Sequence, residues 1–64
     1  MGFSEQLKKA RLIQNLSEKE LAELIGVNLK TYKGYEDGKT IPRIKIIKEL
    51  AIALNITSDE LLEM

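Results

Sequence analysis

The side chains best suited to binding chemistry in this sequence are the basic residues of its middle part. Positions 28–48 contain six lysines and arginines against two acidic residues, whereas positions 49–64 contain four acidic residues and no basic one. The six are Lys30, Lys33, Lys39, Arg43, Lys45 and Lys48. Because such side chains attract phosphate, the segment is a candidate polyanion-binding surface, although the net charge of the chain is zero. The alternative is a solvated surface on which the charges are unevenly placed.

The residue types that most catalytic and metal sites need are missing from this sequence. The 64 residues include no Cys and no His, which excludes a thiolate nucleophile, a disulfide and an imidazole base or metal ligand. Ser4 and Ser17 lie at the starts of predicted helices, where a serine hydroxyl acts as a cap. No nucleophile is paired with a base, and no Gly-rich loop could cradle a phosphate. We therefore expect no enzyme activity, no cofactor, no metal and no small-molecule substrate.

Two short predicted helices, separated by a glycine, carry the first basic residues. Ser17 and Glu20 have the spacing of a capping box, which predicts a helix over residues 18–25. Gly26 suits the left-handed residue that ends a helix, and a second helix is predicted over residues 29–36. The signals that start and stop this second helix are Asn28 and Gly38. A helix, a turn with glycine and a second helix form the arrangement that places the second helix in the DNA major groove.

The remaining apolar spacing predicts three more helices and no strand. The first runs from about residue 3 to 14, the fourth from 43 to 54 and a last short one from 58 to 63. Asn15 and Asn55 are expected to end helices in the left-handed conformation. The residues expected to face the core are Leu7, Ala10, Leu12 or Ile13, Leu21, Ala22, Leu24, Ile25, Tyr32, Tyr35, Ile44, Ile47, Leu50, Ala51, Leu54 and Leu61. No long apolar run or signal peptide is present, so no membrane association is expected and the expected compartment is the cytoplasm.

Two residues within the predicted helices need an explanation. Arg11 lies on or near the buried side of the first helix, where a covered guanidinium needs a partner. Gly34 lies inside the third helix, where glycine costs roughly 1 kcal/mol relative to alanine. Either the backbone approaches another group closely at Gly34, or the glycine is merely tolerated.

With these features in place, the chain resembles the helix-turn-helix domain of the phage Cro and repressor family (lambda-repressor-like, XRE). The residues that match the family pattern are Leu16, Ser17, Leu21, Ala22, Gly26, Val27, Tyr35, Glu36, Gly38, Pro42, Leu50, Ala51, Leu54, Asp59, Glu60, Leu61 and Leu62. The resemblance covers nearly the whole chain. It implies an all-α, compact five-helix DNA-binding domain over residues 1–64, with the helix-turn-helix formed by helices 2 and 3.

The resemblance also implies roles for individual residues. Arg11 and Glu36 match a pair that forms a partly buried salt bridge in relatives. The residues expected to face DNA bases are Asn28, Leu29, Lys30, Thr31, Lys33 and Gly34. The residues expected near DNA phosphates are Ser17, Glu18, Lys39 and Arg43.

The implied function is sequence-specific DNA binding by a repressor-like transcriptional regulator that acts as a homodimer on near-palindromic double-stranded DNA. Three surface positions depart from the family: Glu18 replaces a common Gln, Asp37 replaces a neutral or basic residue, and Gly34 lacks a base-reading side chain. Glu18, Asp37 and the zero net charge favour the alternative, a protein-interaction module on the same fold that resembles an antitoxin or binds a regulatory partner.

Overall fold

Four α-helices account for most of the chain in the computed structural model, which describes residues 2–57 and Leu61. They are α1 Phe3–Ile13, α2 Glu18–Ile25, α3 Leu29–Asp37 and α4 Ile44–Ala53. No strand occurs in these described residues, so the all-α expectation is confirmed. The predicted fifth helix, residues 58–63, lies outside the described positions except for Leu61. Within the described ranges, no helix has the length and apolarity needed to cross a bilayer.

The predicted caps of α2 and α3 are confirmed. The Ser17 hydroxyl accepts a hydrogen bond from the Glu20 backbone N–H at 3.0 Å, and the Glu20 carboxylate accepts one from the Ser17 N–H at 2.8 Å. The Asn28 side-chain oxygen accepts from the Thr31 N–H at 2.7 Å. Gly26 follows α2 with a φ of 78°, in the left-handed region that glycine adopts without strain. The turn between the two helices is therefore held by purely local interactions.

All four helix ends share one hydrogen-bond pattern. Asn15, Gly26 and Asn55 have positive φ after α1, α2 and α4, as predicted, and so does Gly38 after α3. The residue that follows each of them donates its N–H to the carbonyl five positions earlier. After α1, α2 and α4 that following residue is apolar and packs on the core: Leu16, Val27 and Ile56. These three helix ends thus add an apolar side chain to the core as the chain reverses direction.

The core lies between α2 and its neighbours α3 and α4, with α1 packed against α3. Its completely or almost completely buried side chains are Leu7, Leu21, Tyr32, Leu50, Leu54 and Leu61. Tyr32 and Tyr35 meet edge to face, with ring centroids 6.2 Å apart, a favoured geometry for aromatic pairs. Both tyrosines are core residues, as their spacing predicts.

Three predicted apolar faces are wrong in detail. In α1 the buried face continues from Leu7 to Arg11, whereas Leu12 and Ile13 are exposed. At about 100° per residue, Arg11 lies one turn above Leu7, and Leu12 and Ile13 turn away from that face. Leu24 of α2 turns away from its buried neighbours for the same reason and is 62% exposed. Ile44, the first residue of α4, is also exposed, and the structure gives no single contact that explains it.

Candidate nucleic-acid interface

The outward face of α3 is set by the residues that it buries. Tyr32 and Tyr35 point into the core, so Leu29, Lys30 and Lys33 lie on the exposed side of the same helix. A helix of nine residues is too short to be stable alone, and its orientation therefore depends on this tyrosine packing. The basic side chains of α3 are presented to solvent from a fixed support.

An open depression of about 710 Å³ lies along this face and reaches the loop after α3. Its lining brings together six of the sequence-predicted site residues: Leu29, Lys30, Thr31, Lys33, Gly34 and Lys39. Asp37 and Thr40 complete the lining. The arrangement offers three ammonium groups and two threonine hydroxyls around one concave surface, with Asp37 as the only carboxylate of the lining. Such a surface can accept an anionic ligand.

The other four predicted site residues lie outside this lining. The side-chain oxygens of Ser17 and Asn28 accept the hydrogen bonds that cap α2 and α3. The Ser17 hydroxyl proton and the Asn28 amide NH₂ remain as hydrogen-bond donors. Glu18 is the first residue of α2 and is half-buried. Arg43 precedes α4 and borders a second depression of about 500 Å³, which also includes Thr40. The structure therefore places Arg43 beside the α3 surface rather than within it.

A buried ionic network holds α3 against α1. The Arg11 Nε donates to Glu36 Oε2 at 2.6 Å, and its Nη2 donates to Oε1 at 3.3 Å. Arg11 Nη1 also donates to the Leu16 carbonyl at 2.8 Å, which ties in the loop before α2. The Tyr32 hydroxyl donates to Glu36 Oε2. The side chains of Arg11 and Glu36 are only 10% and 4% exposed. Glu36 is therefore the partner that the covered guanidinium of Arg11 needs.

The network shifts the protonation of its members. Burial alone would raise the pKa of Glu36, but hydrogen bonds from Arg11 and Tyr32 outweigh it and hold that pKa below its usual value. Burial, and then the bond to Glu36, raise the pKa of the Tyr32 hydroxyl well above its usual range. The hydrogen bond to Glu36 raises the pKa of Arg11, and the Glu18 charge adds a smaller effect in the same direction. Glu18 therefore interacts with the network as well as lying at the start of α2.

Sequence reasoning missed two contributors to this region. The Tyr32 hydroxyl joins the ionic network, and its four-residue spacing from Glu36 on one helix is the signal that could have shown it. Thr40 lines the depression, and the signal for it was the unexplained Gly34. A Cβ built on Gly34 would lie 3.3 Å from Thr40 Oγ1, so the close-approach explanation of that glycine is the one that the structure supports. No metal-binding cluster of acidic residues occurs in the described part of the chain.

Comparison with known proteins agrees with this geometry. Residues 7–61 match the model of a helix-turn-helix family. The chain is 36% identical over 61 residues to the cryptic phage CTXphi transcriptional repressor RstR of Vibrio cholerae, covering 95% of this chain and 54% of the relative. It is 34% identical over 61 residues to the SPbeta prophage-derived uncharacterized HTH-type transcriptional regulator YonR of Bacillus subtilis, covering 95% of this chain and 56% of the relative.

A solved structure gives the same result. The crystal structure of the restriction-modification controller protein C.AhdI from Aeromonas hydrophila superposes with a TM-score of 0.88 at 33% sequence identity. The match covers 94% of this chain and 91% of that one. By contrast, the chain spans little more than half the length of the two curated relatives.

Proposed function

The chain belongs to the helix-turn-helix family, and from that membership we propose that it is a repressor-like transcriptional regulator that binds double-stranded DNA sequence-specifically. In this proposal α3 enters the major groove of an operator half-site. The observation that carries it is the depression lined by Lys30, Lys33 and Lys39 on the exposed face of a helix whose opposite face is fixed in the core.

Each predicted residue then has a distinct task. Lys30 donates to guanine O6 and N7, and Leu29 packs on a thymine methyl group. Thr31 and the Asn28 amide bond to a base edge or to a phosphate. Lys33 faces the groove edge. The residues that approach phosphates are Ser17, Glu18, Lys39 and Arg43, among which Glu18 opposes binding by its charge.

We further propose that residues 1–64 form one DNA-binding domain that acts as a homodimer in the cytoplasm. A single such domain reads about half of an operator, so two copies on near-palindromic DNA double the contacted sequence. Size-exclusion chromatography with light scattering, with and without duplex, measures the number of chains in each complex.

The test of DNA binding is a random-duplex selection at low and moderate salt, followed by titrations with the selected duplex. Replacing Lys30 and Lys33 by Ala removes two charges from the α3 face, so affinity should fall and the slope of log affinity against log salt should flatten by up to about 1.8. Lys8→Ala with Lys9→Ala is the matched control, because these exposed lysines lie on α1 and carry the same charge. Equal losses in both double variants, or none in the α3 variant, would remove α3 from the proposal.

The second candidate function is a protein-interaction module on the same fold. The Asp37 carboxylate in the lining of the depression favours this candidate, because a negative charge there would repel DNA phosphates. Absence of any enriched duplex at either salt concentration would support this candidate in place of DNA binding.

A further inference from the structure

The end of α3 has the hydrogen bond that the other three helix ends share, adds a further one from Thr40, and is followed by an exposed residue. The backbone N–H groups of Gly38, Lys39 and Thr40 all donate to a single carbonyl, that of Gly34. The residue after the left-handed Gly38 is Lys39, which is exposed, whereas the corresponding residues after the other helices are apolar and pack on the core. The chain after α3 is thus folded back on the helix by hydrogen bonds and contributes no side chain to the core at that point.

This fold-back places the Thr40 side chain against the Gly34 backbone. A Cβ at Gly34 would lie 3.3 Å from Thr40 Oγ1 and 3.6 Å from Thr40 Cβ. A contact of 3.3 Å is tighter than most real Cβ contacts, so a Cβ at position 34 would require Thr40 to shift by a few tenths of an ångström. Thr40 is nevertheless exposed and lines the same depression as Lys30 and Lys33. The space that a side chain on α3 would fill is occupied by a side chain from the loop.

We propose that Thr40 reads a base pair in place of the side chain that Gly34 lacks. This inference rests on the proposed DNA-binding function and adds a specificity-determining residue to it. Gly34 lies one helical turn after Lys30, on the face that would meet base edges. The bond from the Thr40 N–H to the Gly34 carbonyl holds the Thr40 backbone beside α3, so the position from which its side chain could reach a base is defined.

Threonine offers two contacts to a base edge. Its hydroxyl donates to or accepts from a base, and its methyl group packs on the thymine methyl. Lys39 and Arg43 lie on either side of Thr40 in sequence and carry the charges suited to phosphates. A phosphate contact by Thr40 would weaken binding to every sequence alike, whereas a base contact changes the preference at one position.

The experiment is a random-duplex selection with wild-type protein, Thr40→Val and Thr40→Ser. Valine keeps the shape and removes the hydroxyl, and serine keeps the hydroxyl and removes the methyl group. At one base pair per half-site, we expect the preference for the selected base over the other bases to fall about fivefold in at least one variant. This factor corresponds to the net free energy of one hydrogen bond. Preferences at the remaining positions should stay as they are in the wild-type protein, and thermal unfolding should show both variants folded.

Gly34→Ala supplies a second, independent test through a double-mutant cycle. Alone, it should alter the preference at the same base pair, because the new Cβ displaces Thr40. Combined with Thr40→Ala, it should add no further change in preference. A uniform loss of affinity over all sequences, or unchanged preferences in every variant, would overturn the role of Thr40. A wild-type protein that enriches no duplex would instead overturn the proposed function itself.

Discussion

Replacing Arg11 by Met should be among the most damaging single changes in this domain. It leaves Glu36, whose side chain is 4% exposed, with the Tyr32 hydroxyl as its remaining bonded partner in the network. Breaking a buried ion pair from one side costs about 3–5 kcal/mol, because the other charge stays buried without compensation. A domain of this size has a free energy of unfolding of roughly 3–10 kcal/mol, so the variant should lie close to its unfolding transition at room temperature.

The pH dependence separates an uncompensated charge from a simple loss of packing. In the wild-type protein the pKa of Glu36 is lowered on folding, so its contribution is present above the unfolded value of about 4.3 and is lost as pH falls through the lower folded value. Without Arg11, burial dominates and raises the folded pKa of Glu36 above the unfolded value. In the variant, Glu36 therefore contributes to the free energy of unfolding with the opposite sign. Acidification from pH 7 to about 5 should reduce the difference in unfolding free energy between the wild-type protein and the variant.

Urea unfolding followed by far-ultraviolet circular dichroism at pH 7 and pH 5 measures both effects. Tyr32→Phe is the control, because it removes one hydrogen bond to Glu36, leaves the ion pair intact and should cost about 1 kcal/mol. In Arg11→Met with Glu36→Gln, the double variant should lose less than the sum of the single losses. A decrease in unfolding free energy below about 1 kcal/mol for Arg11→Met would refute the reasoning. So would a difference in unfolding free energy between variant and wild-type protein that does not change with pH.

Three further changes have direct outcomes. Glu18→Gln removes a negative charge from the start of α2 and should strengthen operator binding by about threefold at low salt, as an exposed charge contact would; equal or weaker binding in a fluorescence titration would contradict the repulsion assigned to Glu18. Ser17→Ala removes the hydroxyl that caps α2 and should lower the free energy of urea unfolding by about 1 kcal/mol. Since folding raises the pKa of Tyr32 above its usual value of about 10, its contribution is complete below that pH and declines above it, and Tyr32→Phe should show a flatter alkaline fall in stability.

The helix ends could be predicted because their signals are local. The capping box at Ser17, the Asn28 cap and the left-handed residues all act within a few positions, and the four helices begin and end within one residue of the predicted bounds. The fold family followed from the combined spacing of such residues. The fifth helix was predicted over residues 58–63, and of these only Leu61 is among the described positions.

Helical periodicity alone does not show contacts between distant elements. Arg11 occupies a core-facing position because Glu36, 25 residues later, supplies its counter-charge. The apolar pattern therefore assigned part of that face to Leu12 or Ile13, whereas the Arg11–Glu36 pair was implied by the family resemblance and is present in the structure. In the same way, nothing within α3 explains Gly34, since its neighbour Thr40 belongs to the following loop. The residues of one helix could not decide between the two explanations of this glycine.

Two contacts between distant elements both support the same short helix. Arg11 and Glu36 fix α3 to α1 on its buried side, and the loop bearing Thr40 is bonded to the Gly34 carbonyl near its end. Reading base edges requires side chains held in a defined orientation, and nine residues of isolated helix cannot supply it. A folded variant with a weakened Glu36 contact, such as Tyr32→Phe, should consequently bind its operator less tightly although Tyr32 itself is buried and touches no DNA.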